Sequence, residues 1–419
     1  MNAYGSVVGF LVRKGKGFVV PETNITFVLG DGILTGTLSL SDVTFILKRV
    51  RDNLPLEPTP PRAPLGPKDI WSYRTNSSFW ASPTISEGVV YIGDAAGNLH
   101  AVKVADGKPK WIFNAHTPLF GSATVVRDAV YIFADSGYLF KLQRDSGTEI
   151  WKVYLGGDGV SRTLPGLDAA QWDSAAPTPA VAEGMVYLGS ADGVFHAIDA
   201  TSGKTIWVFR AGGKIRSSAL LTPDRVYFGS FDQFVYALDR KSGALHWKFD
   251  TGSAVTTTPV FVRDKILVGI RDRSTLFALN VEDGKPIWNV FFWLSWVEST
   301  PCMADGIVYV GSSDSHRIRA IDPSSGSVIW ASQVWGSTWG TPLVVNDTIY
   351  YGTAGSSKYF IHQEPSLGAL DRKSGAMKWR QALPLGNDRW LSGYTGSLVY
   401  GEGKIIAAGL DGNLVAFPP

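Results

Sequence analysis

Large aromatic residues recur with a few charged ones in the variable stretches that follow the tryptophan-containing segments of this chain. Ten of them are candidate binding residues: Trp80, Phe120, Trp172, Arg216, Trp293, Trp296, Glu298, Trp335, Trp339 and Trp390. Flat aromatic faces beside charged groups suit sugar rings, aromatic ligands or an extended peptide, since each presents apolar area with a polar rim. The alternative is that most of these rings fill gaps between structural elements.

Register supports a common location for half of this set. When the prolines that open three of the repeated segments are aligned, Trp80, Glu298 and Trp339 occupy equivalent positions. Arg216 and Phe120 match them by register. We therefore expect these five side chains to face one pocket.

The residues that could catalyse a reaction are sparse. His100 and His196 occupy the strand position that Phe140, Tyr236 and Phe277 hold in other repeats, so we expect core positions for both. The other four histidines lie in different repeats or loops, without the pairing of a metal site. No nucleophile elbow, P-loop or dinucleotide fingerprint occurs.

Composition favours an all-β protein. The 419 residues include 46 Gly, 15 Trp and 15 Tyr, and this usage is typical of short strands joined by tight turns. A net charge of +2 without long charged runs disfavours nucleic-acid binding. The single cysteine, Cys302, rules out an intrachain disulfide. No apolar run reaches the ~18 residues of a membrane span.

A repeat of about 40 residues organises most of the chain. Gly-x-x-x-Trp recurs seven times, for example in TSGKTIW (201–207) and KSGALHW (241–247). Most copies are accompanied by a segment after Ser/Thr-Pro, a V-Y-x-G strand, a turn and an x-A-I/L-D strand. Four strands per repeat of this length are the signature of β-propeller blades.

The number of blades follows from the two ends of the array. An eighth repeat at 393–417 lacks its tryptophan strand, and PLGPKDIWSYRT (64–75) supplies a strand with Trp71. The sequence predicts an eight-bladed propeller of four-stranded blades over 68–419, closed by pairing residues near 70 with residues near 415. Closure removes exposed sheet edges. Residues 1–53 are predicted to form a small N-terminal module, and 54–67 a proline-rich linker.

The run A-x-D-x-x-[TS]-G-x-x-x-W resembles the repeat of a family of eight-bladed propellers. This family includes the pyrroloquinoline quinone (PQQ) dehydrogenases and the lipoprotein of the bacterial outer-membrane assembly machinery. The resemblance implies the same fold over residues ~66–419, and an extracytoplasmic location. In that family the repeated motif is a packing device between blades, so the resemblance does not decide activity.

A quinone enzyme of that family needs an Asp base, calcium bound by carboxylate and amide oxygens, and in its alcohol-oxidising members two adjacent cysteines. This chain has one cysteine. We therefore expect neither PQQ nor calcium as a cofactor. The beginning of the chain, MNAYGSVVGFLVRKG, carries its charges after the apolar segment, unlike a secretory signal, so the location is inferred from resemblance alone.

The segment DGILTGTLSLSDVTFILKRV (31–50) resembles one calcium-loop-and-helix repeat of a dockerin. Asp31 and Asp42 fall at loop positions 1 and 12 and are the candidate metal ligands. Ile33 and Thr35 stand where oxygen-rich ligands are expected, although calcium needs six or more oxygens. The alternative is a short β-rich attachment module, because GFVVPETNITFVLGDG (17–32) is typical of strand and turn.

Together these observations predict a non-catalytic binding or scaffold propeller in an extracytoplasmic assembly. A protein or glycan partner would bind at the aromatic mouth, and the N-terminal module would dock to another protein. The alternative is an enzyme, quinone-dependent or acting on polysaccharide, that uses the same mouth.

Overall fold

The computed structural model describes residues 12–14, 17–19, 25–30, 33–38 and 44–48, and then 63–157, 160, 162–165, 172–292, 295–357, 363–385 and 391–419. The chain divides into two compact units, Met1–Pro61 and Arg62–Pro419. Within the described ranges there is no helix that is long and apolar enough to span a membrane.

The N-terminal unit contains an antiparallel sheet whose strands pair in chain order. Its strands are β1 (Val12–Lys14), β2 (Gly17–Val19), β3 (Ile25–Gly30), β4 (Ile33–Leu38) and β5 (Thr44–Lys48).

The dockerin-like reading of this unit is wrong where the structure describes it. β5 lies where a helix was expected, and it pairs with β4 from Ile33↔Lys48 to Thr37↔Thr44. The extended β4 also occupies the middle of the predicted calcium loop, and β-branched and aromatic residues favour this conformation. The candidate ligands Asp31 and Asp42 lie outside the described residues.

The second unit contains eight sheets of the propeller type among its described residues. Each sheet is one blade, and its strands pair in antiparallel order. Blades 1 to 4 comprise β7 (Thr84–Ser86), β8 (Val89–Gly93), β9 (Asn98–Lys103) and β10 (Pro109–Asn114); β11 (Thr124–Val126), β12 (Ala129–Phe133), β13 (Tyr138–Gln143) and β14 (Glu149–Tyr154); β15 (Ala180–Ala182), β16 (Met185–Gly189), β17 (Val194–Asp199) and β18 (Thr205–Arg210); and β19 (Leu220–Leu221), β20 (Arg225–Gly229), β21 (Phe234–Asp239) and β22 (Leu245–Asp250).

The remaining blades follow the same order, and blade 7 has one additional short strand. Blades 5 to 8 comprise β23 (Val260–Val262), β24 (Lys265–Gly269), β25 (Thr275–Asn280) and β26 (Pro286–Phe291); β27 (Cys302–Ala304), β28 (Ile307–Val310), β29 (Arg317–Ile321) and β30 (Val328–Gln333); β31 (Leu343–Val345), β32 (Thr348–Gly355), β33 (Ser366–Asp371), β34 (Met377–Ala382) and the additional β35 (Ser392–Gly393); and β36 (Val399–Gly401), β37 (Lys404–Ala408), β38 (Asn413–Phe417) and β6 (Trp71–Arg74).

The ring closes where the sequence predicts. β6, the first strand of the propeller unit, pairs with β38 near the C-terminus, in a register that runs from Asn413↔Arg74 to Ala416↔Trp71. Blade 8 is thus completed by residues from both ends of the unit. The predicted eight-bladed architecture is confirmed.

Burial differs between the strands of one blade because neighbouring blades cover its two faces. The second strands β8 and β12 are buried at every residue. The fourth strands, such as β18, alternate between exposed and half-buried residues at the outer edge. The V-Y-x-G runs are therefore continuously apolar, whereas the tryptophan strands present one face to solvent.

The glycine and the tryptophan of one motif each contact a neighbouring blade rather than each other. Gly243, in the turn before β22, has φ +74°, and a Cβ built on it would lie 2.6 Å from the ring of Trp207 in the preceding blade. Gly203 faces Trp151 in the same way. A buried indole contributes roughly 150–250 Å² of contact. The motif therefore joins consecutive blades around the ring.

The indole nitrogen adds a hydrogen bond to this contact. Trp207 Nε1 donates to the carbonyl of Arg240 at 3.2 Å, and Trp111 Nε1 donates to that of Arg144 at 2.8 Å. At Trp151 the pattern changes, because Lys141 Nζ donates instead to the equivalent carbonyl, that of Ala200, at 2.8 Å.

The stretch just before β6 supplies the glycine that faces the last tryptophan of the series. A Cβ on Gly66 would lie 2.7 Å from the Trp379 ring of blade 7. Nearby, Arg380 N donates to the carbonyl of Pro64 at 3.0 Å. Residues 63–67, the end of the predicted linker, therefore lie against blade 7.

Replacing Gly243 with alanine should destabilise the propeller through two effects. A left-handed backbone costs about 1 kcal/mol for alanine, and the new Cβ also meets the Trp207 ring, which adds roughly 1–3 kcal/mol. Gly184 is a matched control because its φ is +76° while nothing lies within 4 Å of its Cβ position. Urea unfolding of both variants separates the effects; equal losses would contradict the role of the ring.

Candidate functional site

A cavity of about 300 Å³ lies on the axis of the ring. It is lined by residues that immediately precede the first strand of every blade, so these first strands surround the axis. We call this cavity and the loops around its opening the mouth.

The floor of the cavity is a ring of hydroxyl groups, one from each blade. They belong to Ser82, Ser122, Thr178, Ser218, Thr258, Thr300, Thr341 and Ser397. Several of them bridge neighbouring blades: Ser218 Oγ accepts from Thr178 N at 2.9 Å, and Ser397 Oγ accepts from Thr341 N at 2.9 Å. Ser82 Oγ accepts from Ser397 N at 2.8 Å and links the first blade to the last.

This hydroxyl ring is a feature that the sequence analysis missed. The Ser/Thr-Pro pair marks where several blades begin, and every repeat has a serine or threonine at the first of these two positions. The strict repetition of a hydroxyl-bearing residue, serine or threonine, just before the first strand of each blade is the sequence pattern that indicates this ring.

The residues two positions earlier in each repeat form the upper wall of the cavity. Residues two apart on an extended segment point to the same side. The wall accordingly contains five of the ten predicted mouth residues: Trp80, Phe120, Arg216, Glu298 and Trp339. Their role in binding stays a prediction.

Two other predicted residues pack inside the protein. Trp172 stacks edge-to-face on Trp296 and on Trp339, with ring centroids 5.8 Å and 6.1 Å apart. Trp172 and Trp296 are 7% and 8% exposed. The packing alternative therefore describes these two rings, and Trp339 connects their cluster to the cavity.

Trp335 is not among the described residues that line the cavity. Trp335 lies in the loop before β31 with φ +66°, and its carbonyl accepts a hydrogen bond from Glu364 N at 2.8 Å. Trp293 and Trp390 lie outside the described residues.

An ion-pair network attaches the long loop before β15 to the mouth. Asp173, from this loop, is 1% exposed. Its Oδ2 accepts from Arg216 Nη2 at 2.7 Å and from Lys214 Nζ at 3.1 Å. Arg162 pairs with both oxygens of Asp135 at 2.7 Å. Burial alone would raise the pKa of Asp173, but the hydrogen bond from Arg216 and the neighbouring cations hold it below its ordinary value.

Glu298 is neutralised by a cation from the turn between β24 and β25 of blade 5. Arg271 Nε donates to Glu298 Oε1 at 2.7 Å, and its Nη1 donates to the carbonyl of Trp172 at 2.6 Å. The same guanidinium lies 4.8 Å from the centre of the Trp296 ring. No sequence pattern identified Arg271, because its partners come from distant loops.

The two histidines predicted in the core are buried. His100 Nε2 lies 3.1 Å from Asp94 Oδ2, and its Nδ1 lies 2.9 Å from the hydroxyl of Tyr73 on the closing strand β6. Burial lowers the pKa of His196, which favours its neutral form. Both side chains therefore belong to contacts between strands rather than to the mouth.

The single thiol is also held within the fold. Cys302 Sγ lies 2.9 Å from the carbonyl of Pro342, and burial raises its pKa to about 12. It therefore stays protonated near neutral pH. The described residues contain no group of three or more His, Cys, Asp or Glu side chains placed to bind a metal ion.

The chain matches the model of one protein family, and several known proteins are similar to it. The model of the family described as outer membrane protein assembly factor BamB matches residues 67–158, 114–232 and 231–419. BamB of Yersinia pestis is 28% identical over 130 residues, which are 30% of this chain and 32% of the relative. Tetrathionate hydrolase of Acidithiobacillus ferrooxidans is 27% identical over 165 residues, 35% of this chain and 30% of the relative. The chain thus spans about a third of these relatives' length.

Solved structures share the fold at low identity. BamB from Moraxella catarrhalis superposes with a TM-score of 0.57 at 15% identity, covering 98% of this chain and 96% of that one. Quinohemoprotein alcohol dehydrogenase from Comamonas testosteroni superposes with a TM-score of 0.63 at 14% identity, covering 84% and 76%.

Replacing Asp173 with asparagine should cost about 3 kcal/mol at pH 7, because buried cations lose their counter-charge. Since its pKa is lowered in the folded state, the contribution of Asp173 is present above pH ~4 and is lost as pH falls further. Urea unfolding from pH 7 to pH 2.5 should therefore show a flatter acid limb for the variant. Exposed Asp128→Asn is the control, and an unchanged acid limb in Asp173→Asn would contradict the assignment.

Proposed function

The chain belongs to the family described as outer membrane protein assembly factor BamB, and from this premise we propose that it is a non-catalytic binding and scaffold propeller. It holds partners together in an extracytoplasmic assembly. The family membership supports the scaffold role and the location. The BamB relatives are named for outer-membrane protein assembly, and their role comes to this chain as part of the proposal.

The buried ion pairs of the mouth are the observation that carries this proposal. Glu298 is paired with Arg271, and Arg216 with Asp173, so the charged side chains at the cavity are held in place by buried partners. A surface that is ordered before binding loses little conformational entropy when a partner arrives. The Trp80 and Phe120 rings, 6.0 Å apart, still line the cavity and supply the aromatic anchors typical of binding hot spots.

In this proposal the N-terminal unit is the attachment module. Its sheet ends in β1 and β5, and each of these strands pairs on one side only among the described residues. A strand edge of this kind can pair with an extended segment of another protein. We assign the attachment role to this unit and the partner-holding role to the mouth.

The competing function is an enzyme that uses the same mouth. We consider this alternative because the chain shares its propeller fold with quinohemoprotein alcohol dehydrogenase. The donor set does not fit a quinone with calcium, because Glu298 is the single carboxylate among the described lining residues and Arg271 already neutralises it. The second candidate is an enzyme that acts on polysaccharide through the mouth. The tetrathionate hydrolase relative matches only 35% of this chain.

Substituting Trp80 with alanine should weaken partner capture at least about tenfold, since a central aromatic anchor contributes about 2 kcal/mol or more. The measurement is a pull-down from an extracytoplasmic extract with the full chain as bait, with captured proteins quantified by mass spectrometry. Ile206→Ala, on the outer strand β18 where the side chain is 57% exposed, is the control. Equal capture by the unchanged chain, Trp80→Ala and Ile206→Ala would contradict the proposal that the mouth binds the partner.

Titration with PQQ and calcium separates the scaffold from the quinone enzyme. We expect no stoichiometric quinone absorbance after gel filtration of the full chain mixed with both. A band of one quinone per chain that requires calcium would overturn the non-catalytic proposal.

A further inference from the structure

Arg216 is the one cationic side chain among the described residues that line the cavity. It is 4% exposed, and its Nη2 donates to Asp173 Oδ2 at 2.7 Å. Its Nε–H has no hydrogen-bond partner among the described residues. A buried donor without a partner is costly, so the protein partners of Arg216 leave part of its hydrogen-bonding capacity unused at the cavity.

Among the described residues, the charges of the ion-pair network around this arginine do not balance. The ion-pair network of the mouth contains four cationic and three anionic side chains: Arg162, Lys214, Arg216, Arg271, Asp135, Asp173 and Glu298. Arg162 is matched by Asp135, and Arg271 by Glu298. Lys214 and Arg216 share Asp173, so one positive charge lacks a counter-charge within this network. The complementary ligand group is an anion.

The other walls of the cavity restrict what carries that anion. The Trp80 and Trp339 rings and the Phe120 ring supply apolar surface on the wall. The floor is the ring of eight hydroxyl groups described above. A hydroxyl that accepts a backbone amide, as Ser82 does from Ser397, keeps its own hydrogen for a ligand. The floor therefore suits a ligand with many hydroxyl groups.

We propose that the cavity binds a sugar carboxylate, a uronate ring of an acidic glycan, with its carboxylate on Arg216. The ring presents an apolar face to the aromatic wall and hydroxyl groups to the floor. A neutral sugar adds no counter-charge to the group of Lys214, Arg216 and Asp173, which carries one excess positive charge. An aromatic carboxylate leaves the hydroxyl floor without partners. A volume of about 300 Å³ is at the small end for ligand sites and limits the occupant to about one ring.

This inference rests on the proposed function, because it names the ligand class of the same mouth. Calorimetric titration of the full chain with glucuronate, glucose and N-acetylphenylalanine tests it. We expect glucuronate to bind at least about tenfold more tightly than glucose, the difference expected for one charge-assisted hydrogen bond. Equal affinity for glucose would overturn the role of Arg216. Tighter binding of N-acetylphenylalanine would overturn the sugar in favour of a peptide carboxylate.

Two variants locate the binding. Arg216→Gln should reduce glucuronate affinity about tenfold or more and leave glucose affinity unchanged, whereas Arg210→Gln, at an exposed arginine of β18, should change neither. If Arg216→Gln does not fold, Trp80→Leu keeps the test decisive, since it should weaken both sugars. Retained glucuronate binding in Trp80→Leu would overturn the site.

The two proposals fail in different ways. Absence of binding by all three small ligands, together with partner capture that depends on Trp80, would overturn the uronate site and leave the scaffold function standing. Glucuronate binding without any Trp80-dependent capture would overturn the scaffold function and support the uronate site.

Discussion

The contact between the indole of one blade and the turn glycine of the next is the constraint on which the rest of the structure depends. The glycine is required for its left-handed backbone and also because the ring lies where a Cβ would be, as at Gly243 and Trp207. Each contact fixes the rotation between two blades. The repeated contacts, and the pairing of β6 with β38, then define a closed ring with a central axis.

Each blade contributes to the axis one residue position that is always serine or threonine and one position that varies. The hydroxyl floor repeats in every blade and has a structural task, since Ser218 and Ser397 each accept an amide hydrogen bond from the preceding blade. Two residues earlier the same extended segments carry Trp80, Arg216 and Glu298, which differ from blade to blade. A rigid, uniform support therefore presents a varied set of side chains at precise positions, which is how propellers generate binding specificity.

The long loop before β15 forms part of the mouth. Trp172 and Asp173, from the long loop before β15, lie against Trp296 and Arg216 and are almost fully buried. The loop therefore covers part of the aromatic surface of the mouth and neutralises part of its positive charge. Among the described residues, the cavity is lined by three aromatic rings, one incompletely paired arginine and a polar floor. This combination is the basis for an anionic, hydroxyl-rich ligand.

The sequence by itself determined the architecture, because a 40-residue period, the Gly-x-x-x-Trp motif and the strand at Trp71 each report local geometry that repeats in every blade. The same register brought Trp80, Phe120 and Trp339 to one cavity. Only the tertiary structure decided that each indole meets the glycine of another blade, that Trp172 packs inside, and that Arg271 neutralises Glu298. Those contacts join residues from loops far apart in the chain, and no local pattern encodes which of several cations a carboxylate will meet. In the N-terminal unit, pairing between β4 and β5 likewise outweighed a helix-like motif, because a strand is stabilised by a partner that sequence periodicity does not identify.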